Sequence, residues 1–173
     1  MKRIFSILMT VLFIAGTAIA AKAETEKEEK RLAKETAAFD KEASRPDGEK
    51  AVVQSLEKEF KVDETTINNL RKQKLGYGEI AIVLALSDKM GGINDTNINK
   101  IMTMRQGPPV EGWGEIAKKL GFKLGHVISN VERARKESHS EIEKEERGKK
   151  EGRERMEKPG KIERHERPER HRR

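Results

Sequence analysis

Hydrophobic residues between positions 48 and 135 recur every three or four residues, which is the period of an amphipathic α-helix. Glycines, prolines and a candidate N-cap at Asp63 or Thr65 divide this stretch into six short segments, and no segment shows the apolar–polar alternation of a β-strand. The third segment, "EIAIVLALSDKM", is apolar on nearly every side and is predicted to lie in the middle of a bundle. The pattern predicts an all-α fold, a compact bundle of about six short helices. The other positions predicted to face the core are Val52, Val53, Leu56, Phe60, Ile67, Leu70, Ile98, Ile101, Met102, Met104, Val127, Ile128 and Val131.

An internal repeat indicates that this bundle is built from repeated helical hairpins. The sequence "GYGEIA" (76–81) recurs as "GWGEIA" (112–117), 36 residues later. An apolar residue followed by arginine precedes each copy, and the loop before the second copy is longer by two residues because it contains two prolines. The first copy comprises Leu70, Arg71, Gly76, Tyr77, Gly78, Glu79, Ile80 and Ala81. The second comprises Met104, Arg105, Gly112, Trp113, Gly114, Glu115, Ile116 and Ala117.

The residue types of the repeat predict packing roles. The first glycine of each copy is expected to let the backbone turn sharply. The aromatic residue is expected to pack back onto the preceding hairpin. The glutamate lies in the first helical turn, where exposed N–H groups favour a carboxylate. The alanine permits close approach of two helices.

The segments "EKEFKVDETTINNLRKQKLGYGEIAIVLALS" and "IMTMRQGPPVEGWGEIAKKLG" resemble a group of small exported bacterial proteins with paired Leu-Arg…Gly-[Tyr/Trp]-Gly-Glu-Ile-Ala repeats. The resemblance covers about residues 50–128. It implies a compact helical domain behind a signal peptide, and it supplies no active-site residues.

The first 23 residues have the three parts of a secretory signal peptide. Lys2 and Arg3 precede an apolar stretch, and small residues follow it. Cleavage is predicted at the site formed by Ala21 and Ala23, which would leave Glu24 as the first residue of a periplasmic or secreted protein. An uncleaved membrane anchor is the alternative, although the apolar stretch is shorter than the roughly 20 residues that span a bilayer.

Charged segments flank the predicted domain at 48–135. Residues 24–47 are expected to be a charged linker or a marginal helix. Residues 136–173 are expected to be a charged, low-complexity tail, whose first part is a candidate extension of the sixth helix and whose remainder is flexible. The net charge is +7, yet residues 24–131 contain equal numbers of basic and acidic side chains. The excess therefore lies at the two ends, and contact with an anionic surface is expected only of the tail.

The composition also limits the chemistry. The chain has no cysteine, which excludes disulfides, thiolate catalysis and cysteine-ligated zinc. No nucleophile–base motif, phosphate-binding loop or dinucleotide fingerprint occurs in the sequence. The sequence thus predicts no catalytic, cofactor-binding or metal-ligating residue. It predicts a non-enzymatic structural or interaction module for a protein or cell-envelope component, and leaves the oligomeric state open.

Two alternatives follow from other patterns. In "GWGEIAKKLGFKLGHVISNVER" (112–133), the spacing of Ala117, Gly121 and Val127 is typical of a DNA-binding helix-turn-helix. Export and the neutral domain argue against nucleic acid as a partner. Weak divalent-metal binding in the tail, through His165, His171 and neighbouring glutamates, is the second alternative. The residues that the first alternative would place on DNA are Lys123, His126, Asn130 and Arg133.

Overall fold

The computed structural model describes residues 25–157, with side chains through residue 153. Within this range the chain forms seven helices and no strand, which confirms the predicted all-α bundle. The described residues fall into two units, which divide between Ile142 and Glu143. The helices are α1 (residues 25–43), α2 (Gly48–Phe60), α3 (Glu64–Lys72), α4 (Tyr77–Lys89), α5 (Asp95–Gln106), α6 (Trp113–Lys119) and α7 (Leu124–Glu157).

Helix α4 lies in the middle of the first unit, as its all-round apolar sequence predicts. Every residue from Ile80 to Leu86 is fully buried, and α4 packs against α2, α3 and α5. Helix α3 begins after Asp63, whose Oδ1 accepts the Thr66 backbone N–H at 2.8 Å. A side-chain acceptor at this position satisfies one of the free N–H groups of the first turn.

Helix α1 corrects the lower boundary of the predicted domain. The sequence analysis places residues 24–47 outside the bundle as a linker or marginal helix. In the structure, residues 25–43 are helical, and Leu32 and Phe39 of this segment belong to the core. The two residues lie seven positions apart, so two helical turns bring both onto one face. The rest of α1 is charged or small, which explains why its apolar signal is weak.

Helix α7 corrects the upper boundary. The predicted domain ends at residue 135, but α7 continues without a break, and Ser138 and Ile142 are buried. Ser138 donates a hydrogen bond to Glu42 Oε2 of α1 at 2.7 Å. Arg135 pairs with the same carboxylate at 3.1 Å. The segment from 136 to 142 is therefore part of the folded unit.

The second unit is described through residue 157 as a continuation of helix α7. Its side chains through residue 153 are exposed or half-buried, and Arg147 lies 3.6 Å from Glu143, one turn earlier. No helix among residues 25–157 has the length and apolar character needed to cross a membrane. The predicted signal peptide, with Ala21 and Ala23, and the tail histidines His165 and His171 lie outside the described residues.

Candidate interaction site

The two copies of the repeat form two corners of the bundle with the same backbone geometry. Gly76 caps α4 with φ −69° and ψ 160°, and Gly112 caps α6 with φ −69° and ψ 155°. These are extended conformations that any residue adopts, so the predicted need for glycine flexibility is wrong. At Gly76 a Cβ atom would lie 2.7 Å from Oδ2 of Asp40, so a larger residue would require the Asp40 carboxylate to move.

Each corner contains an arginine stacked on the aromatic ring of its own copy. The Cζ atom of Arg71 lies 4.5 Å from the ring centroid of Tyr77. The corresponding distance from Arg105 to Trp113 is 4.8 Å. A guanidinium over the face of an aromatic ring is favoured by the ring quadrupole. The stack therefore ties the end of one helix to the start of the next.

Each arginine also donates a hydrogen bond to a backbone carbonyl at the end of the loop between its two helices. Arg71 Nη1 donates to the carbonyl of Leu75, and Arg105 Nη1 donates to the carbonyl of Glu111 at 3.2 Å. Leu75 and Glu111 directly precede the first glycine of their copies. The sequence analysis includes both arginines in the repeat without giving them a role. In the structure each arginine connects the aromatic ring of its copy to the loop before it.

The two aromatic residues differ in burial. Tyr77 is only 5% exposed and donates a hydrogen bond to Glu49 Oε1 at 2.6 Å. Burial, followed by the bond to the Glu49 carboxylate, raises the pKa of Tyr77 to about 12. Trp113 is half-buried at the edge of the core. The second corner therefore leaves part of its aromatic side chain accessible.

Helix α1 crosses both corners and places a carboxylate at each. Asp40 Oδ1 accepts the backbone N–H of Gly78 at 3.2 Å. Glu29 Oε1 lies over Gly114, 2.3 Å from the position that a Cβ atom would take. Both carboxylates thus lie at helix N-termini, where the backbone dipole favours negative charge.

Neither of these carboxylates is predicted from the sequence. The available signal was the absence of a capping side chain, because a glycine occupies the N-cap of both α4 and α6. A helix start without its own cap needs an acceptor from elsewhere in the fold.

The repeat glutamates take the predicted position in the first turn of α4 and α6 but have different partners. Glu79 forms an ion pair with Arg105 at 2.9 Å, which joins the two corners. Glu115 is exposed. The remaining repeat residues pack inside the bundle: Leu70, Gly78, Ile80, Ala81, Gly114, Ile116 and Ala117 are buried, and Met104 is half-buried.

A groove of about 430 Å³ lies between α1 and the second corner. We call it the corner groove. Its apolar lining is formed by Leu32, Ala33 and Ala37 of α1 together with Trp113. Its charged lining consists of Glu29, Asp40, Glu79 and Arg105.

The four side chains of the helix-turn-helix alternative do not form one free surface. Lys123 and His126 are exposed, whereas Asn130 is 8% exposed. Arg133 pairs with Glu59 of α2 at 2.7 Å and donates to Asn130 Oδ1 at 2.8 Å. Of the four side chains, Asn130 is therefore buried and the exposed Arg133 is paired with α2 at the surface.

Among the residues that the structure describes, no group of three or more His, Asp or Glu side chains is arranged to hold a metal ion. The sequence matches no protein-family model, and no curated protein or solved structure is significantly similar to it. The resemblance to exported paired-repeat proteins stays a prediction.

Proposed function

We propose that this chain is an exported, non-enzymatic helical module that binds a protein or cell-envelope component through the corner groove. One observation carries the proposal: the two corners share backbone and arginine–aromatic geometry but differ in exposure. Tyr77 is enclosed and bonded to Glu49, whereas Trp113 borders a groove with apolar side chains and an ion pair. Half-buried tryptophan and arginine beside apolar side chains are typical of binding surfaces.

Export is the second part of the proposal and has its own test. If residues 1–23 are removed as a signal peptide, cell fractionation will recover the protein outside the cytoplasm. Mass spectrometry of that protein will then identify Glu24 as its first residue. Recovery of the chain in the cytoplasm with Met1 retained would contradict export.

Binding at the corner groove is testable by site-specific photo-crosslinking in intact cells. A photoreactive residue replaces the exposed, groove-lining Ala37 in one variant and the exposed Lys100 of α5, outside the groove, in another. We expect one defined adduct, identified by mass spectrometry, from position 37 and none from position 100.

A blocking substitution controls for accidental proximity. Ala33→Phe fills the groove from an exposed position and leaves the core residues unchanged. It should abolish the adduct without lowering the melting temperature. Equal adducts at both positions, or no adduct at either, would contradict docking at this groove.

A further inference from the structure

We infer that the corner groove binds an extended, cationic peptide segment of a partner protein, whose basic side chains pair with Glu29 and Asp40. This inference rests on the proposed function and specifies the chemistry of the partner. Trp113 and the alanines of α1 provide the apolar surface against which the stems of lysine or arginine side chains pack.

The charge of the groove is negative once its internal ion pair is taken into account. Arg105 is engaged by Glu79 at 2.9 Å and stacked on Trp113. Asp40 accepts one backbone N–H, and neither Asp40 nor Glu29 has a cationic partner among the described residues. The N-termini of α4 and α6 each offset roughly half a charge, which leaves about one net negative charge. A cationic occupant is therefore favoured, with modest affinity and strong dependence on salt.

The spacing of the two carboxylates sets the form of the occupant. Glu29 and Asp40 lie eleven residues apart on α1. At 3.6 residues per turn this spacing returns to the same face, about 16 Å further along the helix. Ala33 and Ala37 lie on that face between them.

An extended segment advances about 3.3 Å per residue and alternates its side chains. Basic residues four positions apart therefore point to the same side and lie about 13 Å apart. Their long side chains can span the remaining distance to carboxylates about 16 Å apart on α1. The groove thus fits the pattern Lys-x-x-x-Lys, or its arginine equivalent.

The experiment uses the fluorescence of Trp113, the only tryptophan of the chain, as a reporter within the groove. The full chain is titrated with a seven-residue, capped alanine peptide carrying two lysines four positions apart. Matched peptides carry two glutamates, two glutamines, or two adjacent lysines. We expect a saturable change in Trp113 fluorescence only with the lysine peptides, and tighter binding of the peptide whose lysines are four positions apart. Binding should weaken as KCl is raised from 25 to 500 mM, roughly in line with screening of exposed ion pairs.

Variants assign the binding to the two carboxylates. Glu29→Gln and Asp40→Asn should each raise the Kd about two- to fivefold, as expected for exposed ion pairs. Glu64→Gln alters an exposed carboxylate outside the groove and should leave the Kd unchanged. Because Asp40 also bonds Gly78, Glu29→Gln is the cleaner variant: Glu29 makes no hydrogen bond or ion pair among the described residues.

Three outcomes would overturn the inference. One is equal binding of lysine and glutamate peptides, and another is an unchanged Kd in Glu29→Gln. The third is tighter binding of a peptide matching residues 164–173, which would assign the groove to the basic end of the chain itself. The proposed function has a separate test. If the adduct at position 37 forms with a segment that lacks basic residues, docking at the groove is supported and the cationic partner is contradicted.

Discussion

Gly78 and Gly114 hold the same position in the two copies of the repeat but face different neighbours. A Cβ atom at Gly78 would lie 2.5 Å from the Cα atom of Thr36 and 2.6 Å from its carbonyl oxygen. At Gly114 the nearest atom is the end of the Glu29 side chain. A backbone cannot move aside without shifting α1, whereas a side chain can rotate.

This difference predicts a large loss of stability at one position and almost none at the other for the same substitution. Gly78→Ala should lower the free energy of unfolding by about 1–3 kcal/mol, because overpacking against a backbone exceeds the gain in helix propensity. Gly114→Ala should change it by less than about 0.5 kcal/mol, because Glu29 rotates away and the helical gain compensates. Urea unfolding of both variants measures the difference. Equal effects would contradict the close contact between α1 and α4.

Tyr77 provides a second test at the residue scale, because it is the only tyrosine in the chain. Its absorbance at 295 nm should titrate with a midpoint of about 12 in the folded protein, against an ordinary pKa of 10.0. Since folding raises this pKa, the native state holds the proton more strongly. The associated stabilisation is complete below pH 10 and is lost as the pH rises through 12.

The neighbouring carboxylate supplies the control. Glu49→Gln removes the charge of the carboxylate that accepts the hydrogen bond of the Tyr77 hydroxyl. The substitution should therefore lower the titration midpoint of Tyr77 in the folded protein. Circular dichroism at each pH verifies that the protein is still folded. A midpoint near 10 in the folded state would show that Tyr77 is not enclosed.

Individual residues also show how far the sequence predicts the site. Tyr77, Trp113 and the repeat arginines are identified by the recurrence of a pattern, which needs no three-dimensional information. Asp40 lies 38 residues from Gly78 in the chain, and its role depends on where α1 packs. The glycine N-caps indicate that an acceptor is needed, but nothing local identifies it, so the places of Asp40 and Glu29 in the groove could not be predicted.

At the scale of elements, α1 links the two corners although its apolar face is narrow. It is charged along most of its length, and only Leu32 and Phe39 supply large buried apolar side chains. Most helical stability in proteins comes from packing of an apolar face, so α1 depends on the rest of the bundle. A linker at this position would tolerate loss of either side chain.

Phe39→Ala therefore distinguishes a packed helix from a linker. The ring is fully buried, so its removal should lower the free energy of unfolding by about 3–5 kcal/mol. Ala33→Ser, at an exposed position of the same helix, should have almost no effect. Chemical denaturation followed by circular dichroism measures both. A loss below about 0.5 kcal/mol for Phe39→Ala would return residues 25–43 to the status of a linker.

At the scale of the whole molecule, the sequence predicts the fold class well and its boundaries poorly. The all-α bundle and its central helix follow from periodicity, because α4 is apolar on every side. The boundaries at 48 and 135 follow a change in composition, whereas burial extends from Leu32 to Ile142. Contacts between α1 and α7, such as those of Ser138 and Arg135 with Glu42, join residues far apart in the chain and leave no signal in local composition.

Two truncations locate the end of the folded unit. Deleting residues 143–173 should leave the free energy of unfolding unchanged within about 0.5 kcal/mol, because no side chain described after Ile142 is buried. Deleting residues 136–173 also removes Ile142 and Ser138, one of the partners of Glu42, and should cost at least about 2 kcal/mol. Urea unfolding compares the two. Equal stability of both truncations would place the end at residue 135.

The crossing of α1 over both corners constrains its length as well as its composition. Thr36 touches the first corner and Glu29 the second, seven residues earlier. One residue inserted between them would rotate one contact by about 100° and move it about 1.5 Å along the axis. The helix would then fit one corner only. Helix α1 is therefore expected to tolerate substitutions more readily than insertions, because an insertion changes the register of its two contacts.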